Sequence, residues 1–192
     1  MIPPFKAFLA LLWATPDWQR YFADTVGEVR RSFLPLAIEF GMLVAFWLIV
    51  GGGDSGFGFT GILLQSMADL AATACFLTLF AVAALRFGFR SGLCRTIAAF
   101  NWVSLILAVM AQIMVGVSQL IDSQSLLLGS GAMLFIWLNV TLFRLMKQAM
   151  QLPTAGIVGA LVLHILLALT FTQAAFGVQM RFDPPAALQS AS

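Results

Sequence analysis

The sequence predicts an all-α fold, a polytopic membrane bundle of five transmembrane helices with the N-terminus cytoplasmic, the C-terminus outside, and short interfacial amphipathic helices in front. Three observations carry this. First, 61% of the 192 residues are hydrophobic and only 9% are charged, with a mean hydropathy of +0.97. A soluble domain has roughly 25% charged and 45–50% apolar residues. So few charges could not cover a water-facing surface of this size, and lipid must be the solvent for much of it. Second, residues 96–121, 123–143 and 148–180 carry no Asp, Glu, Lys or Arg. Each run reaches or exceeds the ~20 residues needed to cross a hydrocarbon core about 30 Å thick. Third, nine of the ten basic residues fall on one side of the expected spans, and Lys and Arg favour the cytoplasm.

In chain order, residues 1–31 form a cytoplasmic, interfacial segment. FKAFLALLW, residues 5–13, sets Phe5, Phe8, Leu9, Leu12 and Trp13 at i, i+3, i+4, i+7 and i+8, the spacing of an amphipathic helix suited to a membrane surface. A cleaved signal peptide is the less favoured alternative. Pro3-Pro4 precedes the apolar run, no small-x-small cleavage site follows it, and the next residues are aromatic and charged. Thr15-Pro16-Asp17 then reads as an N-cap, a proline at the first helical position and an acid in the first turn. That starts a second short helix with Trp18, Tyr21 and Phe22. These helices either pack under the bundle or sense the membrane.

The five spans of the transmembrane domain, 32–180, are expected at about 33–50, 59–85, 96–121, 125–147 and 154–178. Glu39 and Asp69 interrupt the first two. Lys6, Arg20, Arg30 and Arg31 precede the first span. Arg86, Arg90 and Arg95 lie between the second and third, and Arg144 and Lys147 between the fourth and fifth. The opposite side holds Arg181 with Asp54, Asp122 and Asp183. The tail, 181–192, is expected to be disordered. No segment is long enough for a separate soluble domain. The location is a membrane, the inner (cytoplasmic) one if the source is bacterial.

Polar residues at membrane depth usually face a bundle interior or a water-filled cavity. Three stripes stand out. Gln65, Ser66, Asp69 and Thr73 share a face of the second span, and Asn101, Ser104, Ala108, Gln112, Val115 and Gln119 one of the third. Gly156, Ala160, His164, Ala168 and Thr172 run along the fifth at i+4, small residues around a single histidine. Asn139 on the fourth span is a further inward candidate. Counted from the basic ends, Glu39 falls in the cytoplasmic half, His164 near the middle and Asp69 in the outer half. A proton or ion relay through the three is one reading. The other is local satisfaction: Glu39 by Asn101 or Arg144, Asp69 by Gln65 and Thr73, or a carboxyl that simply carries its proton.

One histidine and two cysteines make a poor metal set, since zinc sites need three or four protein ligands. Cys75 and Cys94 are expected at different depths, too far apart for a disulfide. No metal, cofactor, nucleotide or nucleic acid is expected.

The glycine-rich loop IVGGGDSGFGFTG, residues 49–61, matches two motifs. Gly51, Gly53 and Gly56 fit G-x-G-x-x-G, but a dinucleotide fingerprint follows a strand within a βαβ unit, and here a membrane helix precedes it. Gly53-Asp54-Ser55-Gly56 spells the G-x-S-G found at the nucleophile of rhomboid-type intramembrane proteases, with His164 on a later helix as base. Nucleophile and base must approach to about 2.6–3.2 Å, whereas the predicted depths leave Ser55 and His164 roughly 14 Å apart. The chain also has too few helices for that family, and Leu163 stands before His164 where an Ala-His pair is expected. The loop reads best as a hairpin turn in water, flanked by Trp47, Phe57 and Phe59 at the interface.

The cytoplasmic amphipathic start, VRRSFLPLAIEF entering the first span and RTIAAFNWVSLI leading into the third resemble bacterial members of the Yip1-like family. The resemblance covers about residues 5–178 and rests on layout and the Asn101-Trp102 signature. The Asp-Leu-Tyr-Gly-type motif of the eukaryotic trafficking members is missing here, so small-GTPase binding does not carry over. The resemblance implies a non-enzymatic, multi-pass protein, a membrane organiser or accessory subunit of a larger complex. Its expected partners are the lipid bilayer and other membrane proteins or further copies of itself. A small proton- or ion-coupled transporter using Glu39, Asp69 and His164 is the alternative, and a Ser55/His164 protease the remote one.

Overall fold

The computed structural model of the chain describes residues 3–13, 15–50, 59–121 and 123–182, and every regular element among them is a helix. A short helix α1 (Pro3–Leu12) and a 3-10 turn (Pro16–Tyr21) lead into five long helices. These are α2 (Val26–Val50), α3 (Phe59–Arg86), α4 (Leu93–Leu120), α5 (Gln124–Ala149) and α6 (Thr154–Phe182). Four of them contain a stretch long and apolar enough to cross a membrane: Ser66–Arg86, Leu93–Ser118, Gly129–Ala149 and Thr154–Val178. The expected first span lies in α2, which is not among those four.

Helix bounds follow the sequence closely except at α2, which begins seven residues before the span expected in it. Thr25 is the reason. Its hydroxyl accepts the Glu28 amide at 3.3 Å, satisfying a donor that an uncapped helix start would leave open. Arg30 and Arg31 therefore ride on helix, not on an incoming loop. Pro35 does not break α2. The second short helix is present, with Pro16 and Asp17 in its first turn, but it is a 3-10 helix and lacks the expected Thr15 cap. The Thr15 hydroxyl instead donates back to the Ala10 carbonyl at 3.0 Å. Residues 51–58, with Ser55 and Phe57, and the tail from 183 onward lie outside what is described, whereas Trp47 falls within α2 and Phe59 begins α3.

The long helices close a ring. α4 packs along α2 and α5, α3 packs along α6, and lesser contacts join α2 to α3 and α5 to α6. α3 and α4, joined by a tight turn, are not the main partners of one another. Inside the ring, Phe76 stacks on Phe80 at 5.8 Å and meets Phe100 edge-on at 5.9 Å. α1 and the 3-10 turn close the basic end by packing on α4 and α5. There the expected apolar face of α1 is corrected. Ala7, Phe8 and Leu11 enter the core, while Phe5, Leu9 and Trp13 point away from it.

A polar network fastens this cap. The Asp24 carboxylate accepts the amides of Gly92 at 2.7 Å and Arg95 at 3.1 Å, holding a negative charge at the positive end of α4. Arg95 donates from Nε to the Phe22 carbonyl and from Nη1 to Gln19 Oε1. Trp18 Nε1 donates to Gln148 Oε1, and Arg144 Nη1 to the Leu11 carbonyl at 2.8 Å. Nothing in the sequence paired these residues, because each bond joins positions more than 60 residues apart in the chain.

Candidate functional site

Where α2, α3 and α4 meet, the ring leaves a cavity of about 270 Å³. Glu39 enters from α2, Ser66, Asp69 and Thr73 from α3, and Gln112 from α4. The helical spacing that produced two of the sequence stripes thus aims both of them at α2. Leu36, Leu43 and Val115 complete an apolar wall. The carboxyls of Glu39 and Asp69 thus line one space. Glu39 Oε2 and Gln112 Nε2 are both buried and have no hydrogen-bond partner among the described residues.

The expected staircase of Glu39, His164 and Asp69 across the bilayer is not what the fold builds. Glu39 stands eleven residues before the end of α2 and Asp69 ten after the start of α3. At 1.5 Å per residue they lie about 16 and 15 Å below the same loop, so antiparallel helices bring them level. Counting from Arg31 misplaced Glu39, because Arg31 lies within α2 and does not mark its end. His164 belongs elsewhere. Its ring packs 4.9 Å from Phe76 and 6.0 Å from Phe100, with Nδ1 buried and unpartnered among the described residues.

The remaining polar candidates occupy three other places. Asn101, fully buried, donates to Ser32 Oγ at 3.0 Å, and Ser32 in turn donates to the Val29 carbonyl. Glu39 therefore does not take the Asn101 amide that was expected to satisfy it. Arg144 is committed to the end of α1. Asn139 donates to the Phe135 carbonyl on its own helix and, with Arg144, lines an open groove between α5 and α6.

Chemically, the cavity can hold positive charge. A carboxylate at membrane depth is costly unless paired or protonated. Two facing each other add repulsion, which a proton or small cation between them would relieve. Among the described residues no group of three or more His, Cys, Asp or Glu could hold a metal ion, and Cys75 and Cys94 are free thiols. No family model, curated protein or solved structure matches this chain.

Proposed function

We propose that this chain is a non-catalytic integral membrane protein that works by contact, as a membrane organiser or as an accessory subunit of a larger membrane complex. The supporting observation is the outer surface of α6. This helix rests on α3 and, less closely, on α5, and it is the least buried of the four apolar spans. Val158, Val162, Leu166, Leu169 and Phe176 all face outward from the bundle. In lipid such a face is free to receive another helix, because packing rather than hydrophobicity drives association there.

The Yip1-like reading adds support from packing. VRRSFLPLAIEF and RTIAAFNWVSLI, the two segments that carry the resemblance, lie on α2 and α4 and meet through the buried Ser32–Asn101 bond. In the same reading α2 is a fifth span, with the basic end cytoplasmic. Purification from native membranes in mild detergent is expected to recover a stoichiometric membrane partner or a homo-oligomer. Val162→Trp with Leu166→Trp should release it. A marker fused after residue 192 should report from outside. Monomer alone, from both wild type and variant, would sink the contact role.

A second reading has its own observation. The Glu39–Asp69–Gln112 cavity suits a small proton- or ion-coupled carrier. In liposomes under a pH gradient, Glu39→Gln and Asp69→Asn are expected to drop proton flux to the protein-free background. His164→Ala should leave it intact, since His164 lies among the aromatic rings. Equal flux in wild type and all three variants would end this reading.

A further inference from the structure

α1 carries apolar residues on two sides. Ala7, Phe8 and Leu11 are buried against the bundle, while Phe5, Leu9 and Trp13 are 54%, 38% and 79% exposed. These three recur at i, i+4 and i+8, so they form one continuous outward stripe. Its direction is fixed. The Leu11 carbonyl is held by Arg144, and Phe8 packs against Trp137 with ring centroids 6.0 Å apart. The stripe therefore cannot fold back onto the bundle.

The same end of the molecule carries cations without counter-charges. Lys6, Arg30, Arg31, Arg86, Arg90 and Lys147 are all exposed, and among the described residues their side chains have neither an ion-pair nor a hydrogen-bond partner. The acids nearby are mostly committed: Asp17 pairs with Arg20 at 3.4 Å, and Asp24 caps α4. Glu28 alone is left. Water could solvate the cations, but not a rigid stripe of Phe, Leu and Trp. An aqueous protein partner would have to match both an apolar ridge and six dispersed charges. A leaflet containing anionic phospholipid does so without special design, because it presents acyl chains and phosphates in adjacent layers.

We infer that the basic end of the bundle binds anionic phospholipid, with α1 lying in the interface, Phe5, Leu9 and Trp13 among the upper acyl chains, and the unpaired cations on headgroup phosphates. Two signals together, apolar insertion and a basic patch, hold a surface helix where either alone is weak. The spans fix the protein in the bilayer regardless. What this site sets is which lipids gather around the cap and how deep Trp13 sits.

The test uses the full chain reconstituted in vesicles of phosphatidylcholine or of phosphatidylcholine with phosphatidylglycerol. One lipid in each set is brominated to quench tryptophan. Subtracting the Trp13→Phe variant isolates Trp13 from the other four tryptophans. Trp13 is expected to be quenched by both brominated lipids, and about threefold more by the anionic one at equal fraction. Combined Arg30→Gln, Arg31→Gln, Arg86→Gln and Arg90→Gln should bring the two to parity. Raising salt on the wild type should do so in part, by screening, without any substitution. No quenching by either lipid would place Trp13 in water or under a protein partner and overturn the inference. Equal quenching by both in low salt would remove its anionic selectivity, and would overturn it too.

Discussion

Replacing Gly92 by alanine is expected to loosen the basic end of the bundle more than the same change at any other described glycine. Gly92 sits at φ +74°, a region that side-chain-bearing residues rarely adopt. A Cβ there would meet the Ala149 carbonyl oxygen at 2.1 Å and its carbon at 2.6 Å. Neither obstacle is a flexible side chain, so relief requires moving the start of α4 away from the end of α5. That movement would also pull the Gly92 amide off Asp24. Strain of this kind costs about 1–3 kcal/mol on its own. With the backbone clash added, a loss of about 3 kcal/mol or more is expected. Thermal unfolding of the detergent-solubilised protein, followed by size-exclusion elution, would show it. Gly88→Ala is the internal control. It shares a positive φ of +83° but has open space around the added carbon, so it should carry the strain without the clash.

The second large effect is expected at Trp18. This side chain is completely buried, packs near Phe22 with centroids 6.3 Å apart, and ties the cap to α5 through Gln148. Trp18 and its 3-10 turn lie outside the apolar spans, so the water-based cost of large-to-small substitution applies to it. Trp18→Ala is therefore expected to cost about 3–5 kcal/mol. Trp18→Phe keeps much of the volume and loses one hydrogen bond, about 1 kcal/mol. The expected readout is protease cleavage between residues 13 and 30, rapid in Trp18→Ala and slow in Trp18→Phe. Equal resistance in both would mean that the cap is held without Trp18.

How much of this was readable from residues alone divides along a physical line. The long helices and most of their ends were readable, because a charge is so unfavourable in hydrocarbon that runs without charge mark candidate crossings. Four of the five expected spans are long and apolar enough to cross, and the one in α2 is not among them. Which faces meet was mostly not. Helices that are apolar all round give little periodicity to separate core from lipid. The ring order followed from no pattern in the sequence. Polar stripes were the exception. Ser66, Asp69 and Thr73 on one helix and Ala108, Gln112 and Val115 on another do face a common space. What they did not show was that Glu39 stands level with Asp69, because that follows from counting both helices from the ends they turn toward each other and not from their basic ends. For α1, counting both Phe5 and Phe8 on one apolar face assumed a single wet side. The helix instead divides those residues between protein and surroundings, and Ala7 takes a core position that its small size had hidden.

The ring also fixes a sequence of events. α3 leaves the synthesis machinery early, yet its principal neighbour is α6, the last long helix made. Phe76 must wait for His164, about 90 residues further along the chain, before its aromatic surroundings are complete. Among the described residues, the polar groups of α3 that line the cavity share it with α2 and α4. The helices that line the carboxyl-bearing cavity, α2, α3 and α4, thus all precede α6 in the chain, whereas the aromatic surroundings of Phe76 need α6.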